Sequence, residues 1–237
     1  MARASWDPEA GRRYTSVAIL LHWLIAFAIL YNLLSGLLRP DLPRGFFVFH
    51  VSSGVTILVL TAVRVVWRLT HRPPPMLPMA NWEKGLAHSV HFLPYAGMVV
   101  LPLTGWALVS ANPPAGSPGA AYAAAEQAAK QAPAKPAGEG RGGGLPPRPR
   151  GPTMVWGVVK LPLIAPINEV GRTPDGVPHQ RELHERFETL HLYGGWIMLI
   201  LLVFHVAGAL KHQFVDRERE LARMGLGSPE PSLVPAE

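Results

Sequence analysis

HLYGGWIMLILLVFH, residues His191–His205, holds no charged side chain between two terminal histidines. A titratable ring inside hydrocarbon is expensive unless it has a partner. Fourteen helical steps of ~100° fall ~40° short of four whole turns, so both rings face nearly one way, ~21 Å apart along the axis. A helix with this pattern offers one ligand to each of two sites at different depths.

Three further stretches are almost free of charge: Ser16–Leu38, Phe46–Val63 and Leu86–Val109, beside Leu190–Leu210. About 20 residues at ~1.5 Å each cross a ~30 Å hydrocarbon core. The second stretch reaches that length when Arg64 and Trp67 are included, with Arg64 snorkelling to the interface. The expected fold is all-α, an integral membrane four-helix bundle with spans near residues 16–38, 46–67, 86–109 and 190–210. The first stretch also suits a signal peptide. Its long apolar run and the lack of a following small-residue cleavage site favour a retained span, ending at Leu38-Arg39-Pro40-Asp41.

Arg12 and Arg13 precede the first span. Arg64, Arg68, Arg72 and Lys84 surround the second connection, and Lys211, Arg217, Arg219 and Arg223 follow the fourth span. The positive-inside rule then puts both termini in the cytoplasm, with 221–237 as a cytoplasmic tail and a long outer loop between helices 3 and 4. Arg39 and Arg44 in the first connection weaken that contrast. Within the outer loop, residues 111–152 are rich in Ala, Pro and Gly, which predicts a flexible insert with one short helix. MVWGVVKLPLIAPI (154–167) is apolar but too short to span and is interrupted by Pro162 and Pro166. It reads as an interfacial segment anchored by Trp156.

The chain has no cysteine, which excludes disulfides, thiolate metal sites and iron–sulfur clusters. Its net charge of +6 is accounted for by membrane topology, so no nucleic-acid partner is expected.

Placed on these spans, His22 and His205 share an inner level, and His50 and His191 share an outer level. Each level joins two helices through two imidazoles. Bis-imidazole haem fits such pairs, because neutral rings ligate iron from both faces and the macrocycle fills space between helices. Zinc is the competitor and prefers four ligands. A lone intramembrane histidine often only bonds a neighbouring helix, but four at two matched depths favour haem. Small residues beside the ligands (Ser52, Ser53, Gly54, Gly194, Gly195, Ala207 and Gly208) would let a macrocycle approach the backbone. Arg64, fourteen residues after His50, and Arg68 one turn further are candidate partners for haem propionates. His212, two turns beyond His205, and the adjacent Lys211 are candidates for contact with a quinone headgroup. His88 and His91 read as interfacial side chains, with substitute ligation or quinone contact as the alternatives. His71 reads as solvated. His184, seven residues before His191, is the rival for the outer ligand.

At RYTSVAILLHWL, FHVSSGVTILVLTAVRVVWRL, LAHSVHFLPYAGMVVLPLTGW and HLYGGWIMLILLVFHVAGALKHQF the chain resembles the bacterial cytochrome b561 family. These are small four-span di-haem cytochromes of the inner membrane. The resemblance covers all four spans in order. It implies that His22, His50, His191 and His205 are axial ligands of two haem b groups. It also implies electron exchange with ubiquinone, a quinone contact at His212, and, for some members, oxidation of superoxide at the outer face. The 111–152 insert departs from the family, whose outer connection is usually shorter.

Three readings follow. The first is a membrane oxidoreductase passing single electrons between a periplasmic donor, with superoxide as one option, and quinone; Arg39, Arg44 and Lys160 would steer an anion. The second is an electron-transfer subunit serving a separate dehydrogenase or hydrogenase. The third is a haem-free structural or transport bundle.

Overall fold

The computed structural model describes residues 13–38, 43–74, 81–131, 152–216 and 220–227. Arg12, Arg39, Arg217 and Arg219, insert residues 132–151 and tail residues 228–237 lie outside these.

Helix α1 is Ser16–Leu37, α2 Arg44–Thr70, α3 Asn81–Ser110 and α4 Pro118–Gln131. A short hairpin follows, β1 Met154–Val155 and β2 Val159–Lys160. Then come α5 Ala165–Asn168, α6 Val177–Phe214 and α7 Glu220–Arg223. Among the described residues, four helical runs are long and apolar enough to cross a membrane: Ser16–Leu37, Gly45–Thr70, Asn81–Ser110 and Pro174–Phe214. Helix α1 starts where Thr15 caps it, its hydroxyl accepting from Ala18 N at 3.3 Å. Leu21, Ile25 and Ser35 mark its buried face, while Leu20, Leu24, Phe27, Leu30 and Leu34 are exposed. A continuous exposed stripe of that composition needs an apolar solvent. In lipid there is little hydrophobic drive between helices, so close packing and interhelical hydrogen bonds hold them.

The chain divides into two compact units. The first comprises Met1–Leu38, Ser53–Val100 and Gly195–Glu237. Here Asn32 on α1 donates to Ser53 Oγ on α2 at 2.6 Å, and Trp23 Nε1 donates to Met224 O at 3.0 Å beyond α7. Gly97 brings α3 against α6: a Cβ there would lie 2.5 Å from Met198 Cε.

The second unit comprises Arg39–Ser52 and Leu101–Gly194. The segment MVWGVVKLPLIAPI forms the hairpin, its turn closed by Val158 N donating to Val155 O at 3.0 Å. Both central turn residues have positive φ, 53° at Trp156 and 71° at Gly157. That is the pattern a tight hairpin turn demands, but with Trp where Asn is usual. Trp156 N donates to Ser52 Oγ at 2.8 Å, and the Trp156 and Phe49 ring centroids are 5.8 Å apart. Trp106 Nε1 donates to Pro162 O at 2.6 Å, and Asn168 Nδ2 donates to Asn112 O at 2.7 Å. Buried Gln180 donates to Ile167 O and Asn168 O at 3.0 and 2.9 Å.

Part of the insert is ordered into the 14-residue helix α4. It is docked by Arg181–Glu126 at 2.7 Å and by Gly119 N donating to Arg172 O at 2.9 Å. Arg181 and Lys130 together hold the Glu126 carboxyl at about 2, Arg181 through the larger effect.

Candidate functional site: two histidine pairs

The first unit contains one pair. His22 on α1 and His205 on α6 have ring centroids 6.1 Å apart, tilted by 52°. The second unit contains the other. His50 on α2 and His191 on α6 have centroids 6.0 Å apart at 73°. A metal bound by two imidazole nitrogens at ~2.0 Å each separates the two ring centroids by roughly 6 Å. Both spacings therefore suit an iron held from two sides. Among the described residues no group of three or more His, Asp or Glu side chains converges as a metal cage. The donor set is thus imidazole pairs, which suits haem better than a tetrahedral ion.

The His50–His191 site shows how the backbone orients a ring. His191 Nδ1 lies 3.1 Å from both Leu101 O and Thr104 Oγ1 on α3. Thr104 Oγ1 itself donates to Leu101 O at 2.8 Å. With Nδ1–H given to the carbonyl, Nε2 keeps the lone pair a metal needs. Gly105 makes room for this, since a Cβ there would stand 3.1 Å from His191 Cε1. At Gly194 a Cβ would meet Leu101 Cδ2 at 2.5 Å, so this glycine allows close helix contact. Ser52 is fully buried and occupied, donating to Val48 O at 2.7 Å while accepting from Trp156 N. His184 is tied elsewhere, its Nδ1 3.1 Å from Ala111 O.

At the His22–His205 site a third ring enters. His91 on α3 lies 5.2 Å from the His205 centroid, nearly perpendicular. His88, read from the sequence as its equal, instead bonds Lys84 O at 2.6 Å. Arg64 is partly buried in this unit. Its Nε donates to Tyr95 Oη at 2.6 Å and its Nη1 to Ala18 O at 3.3 Å, one turn from His22. Arg68 is exposed. His71 is exposed too, but it stacks on Trp67 at 3.7 Å.

At the end of α6, His212 Nδ1 lies 2.8 Å from Asp216 Oδ2. Lys211 is engaged twice, with Glu83 at 3.0 Å and Asp216 at 2.8 Å. The bond from Lys211, with a lesser one from His212, holds the Asp216 carboxyl below its usual range. Sequence spacing drew attention to His212 and Lys211; Glu83 and Asp216 were missed, and only the i+4 step from His212 to Asp216 signalled either.

The chain is similar to known proteins along most of its length. The family model described as prokaryotic cytochrome b561 matches residues 13–227. A Yersinia pestis protein described as probable superoxide oxidase CybB is 31% identical over 103 residues, 41% of this chain and 58% of that protein's length. Cytochrome b561 homolog 2 of Escherichia coli K12 is 23% identical over 219 residues, 90% of each chain. With four apolar helices and a family match of that extent, the chain belongs to the prokaryotic cytochrome b561 family of multi-pass membrane proteins that bind b-type haem.

Proposed function

We propose that the protein carries two haem b groups and moves single electrons between an outer-face donor and membrane ubiquinone. The observation that supports it most is the pair of imidazole pairs, at 6.1 and 6.0 Å, on different helices. Superoxide is the proposed donor, because the Yersinia pestis relative is described as a probable superoxide oxidase. The protein sits in the bacterial inner membrane with both termini in the cytoplasm, the orientation that the basic residues favour.

His22 and His205 hold one haem and His50 and His191 the other. Each haem supplies a one-electron couple whose potential follows ligation and burial. The carbonyl of Leu101 and the hydroxyl of Thr104 fix the His191 ring, so its Nε2 is presented without reorganisation. Arg64, and Arg68 one turn on, balance propionate charge. Two superoxide ions losing one electron each release two molecules of dioxygen, and the two electrons with two protons reduce quinone to quinol. His212 donates one proton to a quinone oxygen and regains it through Asp216, which is open to water; Lys211 keeps the headgroup region positive.

The second reading is an electron-transfer subunit for a separate dehydrogenase or hydrogenase. The ordered cap of the second unit favours it, since α4 and the hairpin expose Tyr122, Val158 and Val159. Purified protein alone separates the two readings. Haem reduction by superoxide followed by quinol formation supports the first, and reduction only with a partner supports the second. The haem assignment is tested by reduced-minus-oxidised spectra with haem quantitation on His50→Ala and His205→Ala. Each variant should lose one haem of two; unchanged haem content in either would overturn the pairing.

A further inference from the structure

A cavity of about 250 Å³ opens in the first unit where the start of α1 and the end of α2 meet Tyr95 of α3. Arg13, Arg64, Arg68, His71 and Arg72 line it, and among the described residues no carboxylate does. Among the described residues none of the four arginines has an acidic partner, although ion pairs elsewhere engage Lys130, Arg172, Arg181, Arg186 and Lys211. Four guanidinium groups around so small a volume repel one another unless an anion joins them. The wall is also prearranged. Trp67 Nε1 donates to Thr15 Oγ1 at 2.9 Å, and the His71 ring lies flat on Trp67, 7° from parallel. The positive-inside rule accounts for arginines at a helix end but not for their convergence on one walled cavity.

We propose that this cavity binds a phosphate group. The group is that of an anionic phospholipid at the membrane boundary, because the cavity lies at the ends of two spans and such basic recesses between helices take lipid headgroups. Arg64 and Arg68 are reserved for propionates on the reading above; Arg13, His71 and Arg72 remain for the phosphate, and the planar forks of the two arginines suit its oxygens. This division of the arginines rests on the haem reading above, whereas the basic lining of the cavity does not.

The test uses the full-length protein, purified with its haem in detergent and examined by native mass spectrometry. Phosphatidylglycerol, phosphatidylcholine and inorganic phosphate are the three probes. The wild type should retain phosphatidylglycerol over phosphatidylcholine. In Arg13→Gln/Arg72→Gln retention should fall roughly thirtyfold, from about one kcal/mol for each arginine lost. A control, Lys160→Gln/Arg186→Gln, lowers net charge equally outside the cavity and should retain the lipid. Arg72→Gln alone, expected to lose roughly fivefold, serves if the double variant is not monodisperse. Inorganic phosphate binding with the same arginine dependence, and no preference between the lipids, supports the phosphate site and assigns it a free source. Equal phosphatidylglycerol retention by wild type and arginine variants overturns the proposal, as does equal loss in the control. Loss of haem from the arginine variants with lipid retention unchanged overturns it too, and gives the cavity to the propionates.

Discussion

The orientation of His191 and the setting of Arg64 each depend on one neighbouring side chain. Thr104 contributes a hydroxyl that bonds Leu101 O and lies beside His191 Nδ1, so Thr104→Val removes a support without touching the proposed ligand. Losing such an outer partner weakens metal-site affinity ~10–100-fold. Titration of the apoprotein with haem should show that drop at one of two sites; equal affinities at both would refute the role of Thr104. Tyr95→Phe removes the acceptor of the Arg64 Nε bond and leaves a partly buried N–H unmade, at about 1–3 kcal/mol of stability. Equilibrium unfolding in mixed micelles reads that loss, and Arg64→Lys should not restore it, because the ammonium lacks the guanidinium fork. The four paired histidines were legible from depth and spacing alone. His91 was not distinguishable from His88, because residues three apart share a helical face and only the approach of α6 decides which one meets His205. The rivalry of His184 with His191 was also open in the sequence; the bond from His184 to Ala111 O accounts for its different environment.

At the scale of elements, the long helices followed from apolar length, whereas the cap of the second unit did not. Its shape rests on pairings such as Gln180 with Ile167 O and Asn168 with Asn112 O, which join residues without any local periodicity. Helix α4 illustrates the point: a short helix was expected in the Ala-rich insert, but not its docking, in which Glu126 takes part. That carboxyl titrates at about 2 rather than 4.5, chiefly because Arg181 bonds it. A lowered folded-state value means the stabilisation is complete above pH 4.5 and is lost as pH falls toward 2. Amide exchange in 118–131, corrected for intrinsic rate, should stay slow at pH 6 and accelerate progressively below pH 4 (~, by that titration). Glu126→Gln should show fast exchange already at neutral pH. Gly119→Ala should detach the same helix by another route, since a Cβ there would run into the Gly171 carbonyl. Protease cleavage within α4 that stayed as slow as in the wild type would sink that expectation.

For the molecule as a whole, α6 is decisive. Its 38 residues make ~57 Å of helix, against ~30 Å of hydrocarbon. The first part carries His179, Arg181, Glu182, Glu185, Arg186 and Glu188, and the apolar stretch starts only at Leu190. At the other end Lys211 is fastened to Glu83 and Asp216. Charged residues flank the apolar stretch at both ends, so sliding of α6 along the membrane normal would carry charge into hydrocarbon. Its 190–210 stretch is ~31 Å long, which suits a bilayer of average thickness. Hydrophobic mismatch that brings these flanking charges toward hydrocarbon is then expected to be met by deformation of the lipid. Reconstituted in acyl chains a few carbons longer or shorter, the protein should thin or thicken the bilayer around itself and concentrate in domains of matching depth. Membrane thickness thus becomes an address as well as a solvent.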